Sequence, residues 1–110
     1  MNLTGQGIFQ KAERIAADPD RLDKLHDLPC CICWEWGMEQ LSPTAAHHCI
    51  HGRHSARKVP DRMTIPLCEG HHQGHLDTSK IALHQQPAEW KRRYGLDTRW
   101  ISWADERIEA

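Results

Sequence analysis

Apolar positions in this chain come in short groups separated by clear stops. In Gly7-Ile8-Phe9-Gln10-Lys11-Ala12-Glu13-Arg14-Ile15-Ala16-Ala17, the residues Ile8, Ala12 and Ile15 share one face at helical spacing and predict an amphipathic helix. Asp18-Pro19 restarts the chain, with Asp18 placed to cap, Pro19 at a first helical position, and Leu22, Leu25 and Leu28 as the apolar face. Pro43 to Ile50 and Met63 to Leu67 predict two strands, the second ending or lying at an edge because Pro66 has no ladder donor. A helix is expected to start near Cys68, weakened by Gly74 and broken around Asp77-Thr78-Ser79. Pro87 opens a further helix through Glu89, Trp90, Arg93 and Tyr94 to a stop at Gly95, and Asp97 is placed to cap a last one through Trp100, Trp103 and Ile108. Two strands joined by a long loop and followed by a helix form a ββα arrangement. The pattern therefore predicts a single α+β domain over residues 1–110, with a helical N-terminal segment over 1–27, a ββα core over 28–76 and C-terminal helices over 77–110.

Composition changes this picture in one place. The formal net charge of −1 argues neither for nor against a nucleic-acid partner. Histidine is the outlier: there are nine, and six of them lie between His47 and His72. Met1 to Lys11 lacks a basic start followed by an apolar region, and no apolar run approaches a membrane span, so a cytoplasmic protein with no membrane partner is expected. In a reducing compartment, five cysteines clustered beside histidines favour zinc over disulfides. At this chain length a metal is a common reinforcement of a modest core.

Cys30-x-x-Cys33 has the spacing of a zinc knuckle, in which a tight turn brings both thiolates to one ion. Cys31, one residue from Cys33, is left as a buried or free thiol; a redox role for the pair lacks a surrounding βαβ pattern. If the turn after Cys68 is helical, Cys68 and His71 share a side, while His72, rotated by about 100°, points elsewhere. Cys30, Cys33, Cys68 and His71 then close a structural zinc site with no open position, against the alternative of ordinary buried cysteines and a surface histidine. Adjacent His47 and His48 on a strand face opposite sides, which suggests a division of labour. His48 would act as general base on water, and His47 with His72 would hold a divalent ion; the plain alternative is two half-buried strand residues. Arg53, Arg57, Lys58 and Arg62 concentrate in the loop between the strands, where they would position a DNA backbone or else form a solvated loop. Lys91, Arg92 and Arg93 form a second basic run, and Trp90 and Tyr94 share a helical face expected to be core.

The order Cys30-x-x-Cys33, His47-His48, Cys68-x-x-His71-His72 resembles the ββα-metal fold of HNH endonucleases, in the subgroup braced by zinc. More narrowly, His47-His48 with Gly52-Arg53, Ile65-Pro66-Leu67-Cys68, His71-His72, His84, Trp90 and Tyr94-Gly95 is similar to the phage and prophage RecA-dependent nuclease family called Ref, over Leu28 to Gly95. The resemblance implies a metal-dependent endonuclease or nickase acting on DNA in phage or prophage recombination. It implies His47 as metal ligand, His48 as base, His72 as a further catalytic-metal ligand and His84 completing the set, with structural zinc and catalytic magnesium or manganese. His75, three residues after His72, competes with His84 for that place. Two departures stand out. Asn2 is the only asparagine, so the central asparagine of the HNH name is replaced, and Asp61 is the nearest residue able to fix the His48 tautomer. The long basic N-terminal arm associated with Ref is missing, so a RecA filament is left open as a partner. The competing expectations are a non-catalytic zinc-braced DNA-binding module, and a zinc-stabilised protein-interaction domain with exposed tryptophans as contact points.

Overall fold

The computed structural model describes residues 17–51 and 59–109. Apart from Ala17, the first expected helix lies outside the described residues, as do Arg53, Arg57 and Lys58. The described chain forms a small α+β unit: α1 (Pro19–His26), α2 (Cys31–Trp36), β1 (Thr44–His48), β2 (Thr64–Cys68), α3 (Glu69–His72) and α4 (Pro87–Tyr94). A 3-10 turn over Asp97–Trp100 then runs directly into α5 (Ile101–Glu109). No helix among the described residues is long and apolar enough to cross a membrane.

α1 starts where a cap and a proline coincide. The Asp18 side chain accepts the Arg21 amide, and Pro19 occupies the first turn, where its missing N–H costs nothing. Leu25 is fully buried, while Leu22 and Leu28 are half-buried. The Cys30–Cys33 segment differs from the expected tight turn. It is a short helix with Cys30 at its N-cap, because Cys31, Ile32 and Cys33 all bury in its first turn and Gln40 Oε1 accepts the Cys30 amide at 2.8 Å. Gly37 ends α2 in the left-handed region at φ 65°.

β1 and β2 pair antiparallel with His47 opposite Ile65 and Pro66 opposite Ala46. Pro66 does not end the strand. The Cys49 amide donates to the Met63 carbonyl at 2.9 Å, so hydrogen-bonded pairs fall on odd positions and Pro66 sits in a pair that exchanges no ladder bond. Every residue of β2 is buried, with α1, α2, α3 and α5 packed around it. Arg21, itself 8 % exposed, ties α1 to both β2 and α5. Its Nε donates to Thr64 Oγ1 at 2.9 Å, one NH2 to the Thr64 carbonyl at 2.7 Å, and the other to Asp105 Oδ1 at 2.6 Å.

α3 is a single turn whose carbonyls need outside donors. Leu83 N–H donates to the His71 carbonyl at 2.9 Å and His84 N–H to the His72 carbonyl at 3.0 Å. Gln85 Nε2 reaches the Gln73 and Gly74 carbonyls at 2.6 and 3.1 Å, and the Trp90 indole N–H reaches the His71 carbonyl at 3.1 Å. At the other end, Glu69 accepts the amides of His75, Leu76 and Asp77 at 2.7, 3.0 and 3.0 Å, which folds the following loop back onto the turn. Trp90 and Tyr94 are core, as are Trp100 and Trp103, whereas Trp34 and Trp36 are exposed.

Gly74 is required twice, by φ +70° and by an added Cβ falling 2.7 Å from the Ala82 Cβ. Gly74→Ala should destabilise the protein by about 2 kcal/mol or more, the sum of a left-handed alanine and an overpacked contact. Urea unfolding followed by circular dichroism measures this, and a midpoint equal to that of the unaltered protein would contradict it.

Candidate metal centres

The first group stands between α2 and α3. Cys30 and Cys33 come from the start of α2, Cys68 closes β2 as the N-cap of α3, and His71 lies one turn on. All four are buried. His71 Nδ1 lies 3.5, 3.6 and 3.4 Å from the sulfurs of Cys30, Cys33 and Cys68, and the Cys33 and Cys68 sulfurs are 3.8 Å apart. A tetrahedral zinc ion with bonds of about 2.3 Å to sulfur and about 2.0 Å to nitrogen spaces its ligands by about 3.8 Å (S to S) and about 3.5 Å (S to N). The group could therefore hold a metal ion such as zinc without rearrangement.

Without a cation, the Cys30 and Cys68 thiols resist ionisation. The hydrogen bond with Cys33, together with burial, pushes Cys30 up to about 11; the hydrogen bond with Cys30, together with burial, pushes Cys68 up to about 12. A bound ion reverses this by stabilising thiolate directly. Cys31 and Cys49 are buried outside the group, and burial drives both thiols well above the ordinary range, so they behave as small core residues. All five cysteines are free of disulfides.

The second group is His47 of β1, His72 of α3 and His84, whose ligand nitrogens lie within 4.8 Å of one another. The ring centroids are 4.9 Å apart for His47 and His72, 5.6 Å for His47 and His84, and 4.8 Å for His72 and His84. Burial lowers the His72 pKa to about 4, reinforced by His47 and His84 beside it; His84 is lowered by burial and His47. His72 and His84 are thus neutral at pH 7 and can offer a lone pair to an ion. His84, not His75, completes the cluster, and the His75 amide is tied instead to Glu69.

No protein-family model, no curated protein and no solved structure matches this chain. What the groups can do rests on their own geometry.

His48 stands apart from both groups. Strand alternation turns it away from buried His47; its side chain is 43 % exposed and its Nε2 lies 2.7 Å from Asp61 Oδ1. The other Asp61 oxygen accepts the Asp18 amide at 2.8 Å, at the mouth of α1. Arg62 is exposed beside this pair. In the second basic run, Arg92 and Arg93 both pair with Glu89, whose carboxyl they pull down to about 2, so much of that charge is compensated within α4.

One residue has a role its sequence context does not suggest. Asp97 does not cap the last helix: it is the first residue of the 3-10 turn, whose N-cap is Leu96, and its carboxylate is wholly buried, with Oδ2 2.9 Å from His47 Nε2. Burial alone would raise its pKa, but hydrogen bonds from His47 and the Ile50 amide, with His51 nearby, outweigh that and lower it. No local pattern marks Asp97, since His47 is 50 residues away.

His71→Ala should lose the zinc and most of the cooperative thermal transition, because structural zinc contributes on the order of 10 kcal/mol. His72→Ala should keep one zinc per chain and a near-normal melt. Elemental analysis and circular dichroism separate the two, and equal zinc content in both variants would contradict the assignment. Loading zinc into ion-free protein at pH 7.5 should also release the protons of Cys30 and Cys68, so apparent affinity should fall as pH falls; an indicator-dye titration showing no proton release would be inconsistent with thiolate ligation.

Proposed function

We propose that this protein is a metal-dependent DNA endonuclease or nickase of the HNH kind, acting in phage or prophage DNA recombination and processing. The observation that carries this is the closed thiolate group joined, through the single step from His71 to His72, to a second, three-imidazole group. A closed centre braces the fold; three protein ligands leave a position for substrate or water.

The roles divide along β1. His47, His72 and His84 would hold a divalent ion, which would supply positive charge to the scissile phosphate. His48 accepts the proton of the attacking water: with Nε2 held by Asp61, the nitrogen free to act as base is Nδ1. Asp61 thereby takes the orienting place that asparagine holds in the HNH pattern. Water adds to phosphorus, the bond to the 3′ oxygen breaks, and the products carry 5′-phosphate and 3′-hydroxyl ends. Arg53, Arg57, Lys58 and Arg62 contact phosphates without reading sequence. An all-imidazole donor set suits manganese better than magnesium, whose preference is for oxygen.

Supercoiled plasmid should be converted to open circles with manganese, more slowly with magnesium and not with calcium alone. His48→Ala should lower the rate by about 100-fold or more. Nicking that survives unchanged in His48→Ala would remove the base assignment; a mobility shift without cleavage at any metal would favour the non-catalytic DNA-binding module.

A further inference from the structure

We propose that Asp97 is a positioning residue of the three-imidazole centre. It fixes His47 with its proton on Nε2 and its lone pair on Nδ1, and so links ion affinity there to docking of the C-terminal helical unit. The proposal rests on ion binding by His47, His72 and His84, and does not require DNA hydrolysis.

The donors and acceptors around Asp97 fix the tautomer. Asp97 is 0 % exposed, and its Oδ2 accepts the Ile50 amide at 2.7 Å while its Oδ1 accepts the His51 amide at 3.1 Å. His51 Nδ1 lies 3.2 Å from Oδ1 but already accepts the Asp97 amide at 2.7 Å, so it carries no proton to give. The third donor to the carboxylate is His47 Nε2 at 2.9 Å. An ionised carboxylate only accepts, so the His47 proton must sit on Nε2, which leaves Nδ1 as the atom able to bind an ion. A carboxylate behind a ligating imidazole orients the ring and raises its basicity.

Asp97 is also the first residue of the 3-10 turn that leads into α5. The same carboxylate holds the chain where β1 ends, at Ile50 and His51. Anything that steadies His47 therefore steadies the seating of this turn, and the effect is reciprocal: an ion that binds better with the turn docked must favour docking by the same factor.

Nitrogen-resolved NMR of the zinc-loaded wild-type protein, with no second ion added, should show His47 protonated on Nε2; a proton on Nδ1 overturns the proposal. Cobalt(II) titrated into zinc-loaded protein and followed by its visible absorption should bind about 10- to 100-fold more weakly to Asp97→Asn and Asp97→Ala, both keeping one zinc per chain. In Asp97→Asn, His47 should also become a mixture of tautomers, which a merely structural role would not produce. Cobalt should slow amide exchange over residues 97–109 of the wild type. Unchanged affinity in a zinc-retaining variant, or unchanged exchange on cobalt binding, overturns the proposal; if neither variant folds, the wild-type tautomer and exchange measurements decide it. Wild-type protein that binds cobalt in this way yet never nicks DNA would count against the nuclease and leave the role of Asp97 standing.

Discussion

A one-turn helix has almost no internal hydrogen bonds with which to satisfy its own carbonyls, and in α3 that deficit organises the molecule. The carbonyls of His71, His72, Gln73 and Gly74 are met by Leu83, His84, Gln85 and Trp90, 11 to 19 residues further on. The residues that cap the turn include a member of the second group: once the His84 amide is fixed on the His72 carbonyl, the two imidazoles are brought together. Glu69 closes the intervening loop from the other end. Backbone satisfaction, which any buried turn demands, thus assembles a side-chain constellation as its by-product.

The two groups sit next to each other but set opposite electrostatic problems. In the group of three buried thiols and one imidazole, Cys30 and Cys68 hold their protons until a cation replaces them, so an ion bound there would stabilise the fold and release protons as it binds. Burial and the neighbouring His47 lower the pKa of both His72 and His84, and they need no deprotonation to accept an ion at neutral pH. Placing both on consecutive residues of one turn means that the first centre sets the orientation of the second.

What could be read from the sequence was whatever has a short period. The pairs Cys30 with Cys33 and Cys68 with His71, the strand alternation separating His47 from His48, and the helix starts at Pro19 and Pro87 are all local, and each is present. The helix of α2 was hidden because its three cysteine-flanked apolar residues bury only against the rest of the core, a tertiary effect that spacing cannot express. His84 could be singled out by resemblance but not by period, since its position depends on a backbone bond to His72. Asp97 was masked by a stronger local signal: an aspartate after Gly95 and Leu96 fits a helix cap, and only the fold turns it inward to His47.

Among the described residues, β2 has β1 on one side and no strand on the other, yet its outer side offers little to a visiting chain. Thr64, Pro66 and Cys68 are the residues whose backbone polar groups face outward there. The Thr64 carbonyl is already taken by Arg21, and Pro66 has no N–H to give. Two of the bonds that a third strand would need are therefore denied in advance. An open edge on a short, buried strand is a template for swapping and fibrous association, and here the proline and the arginine close that route while the strand itself stays paired with β1.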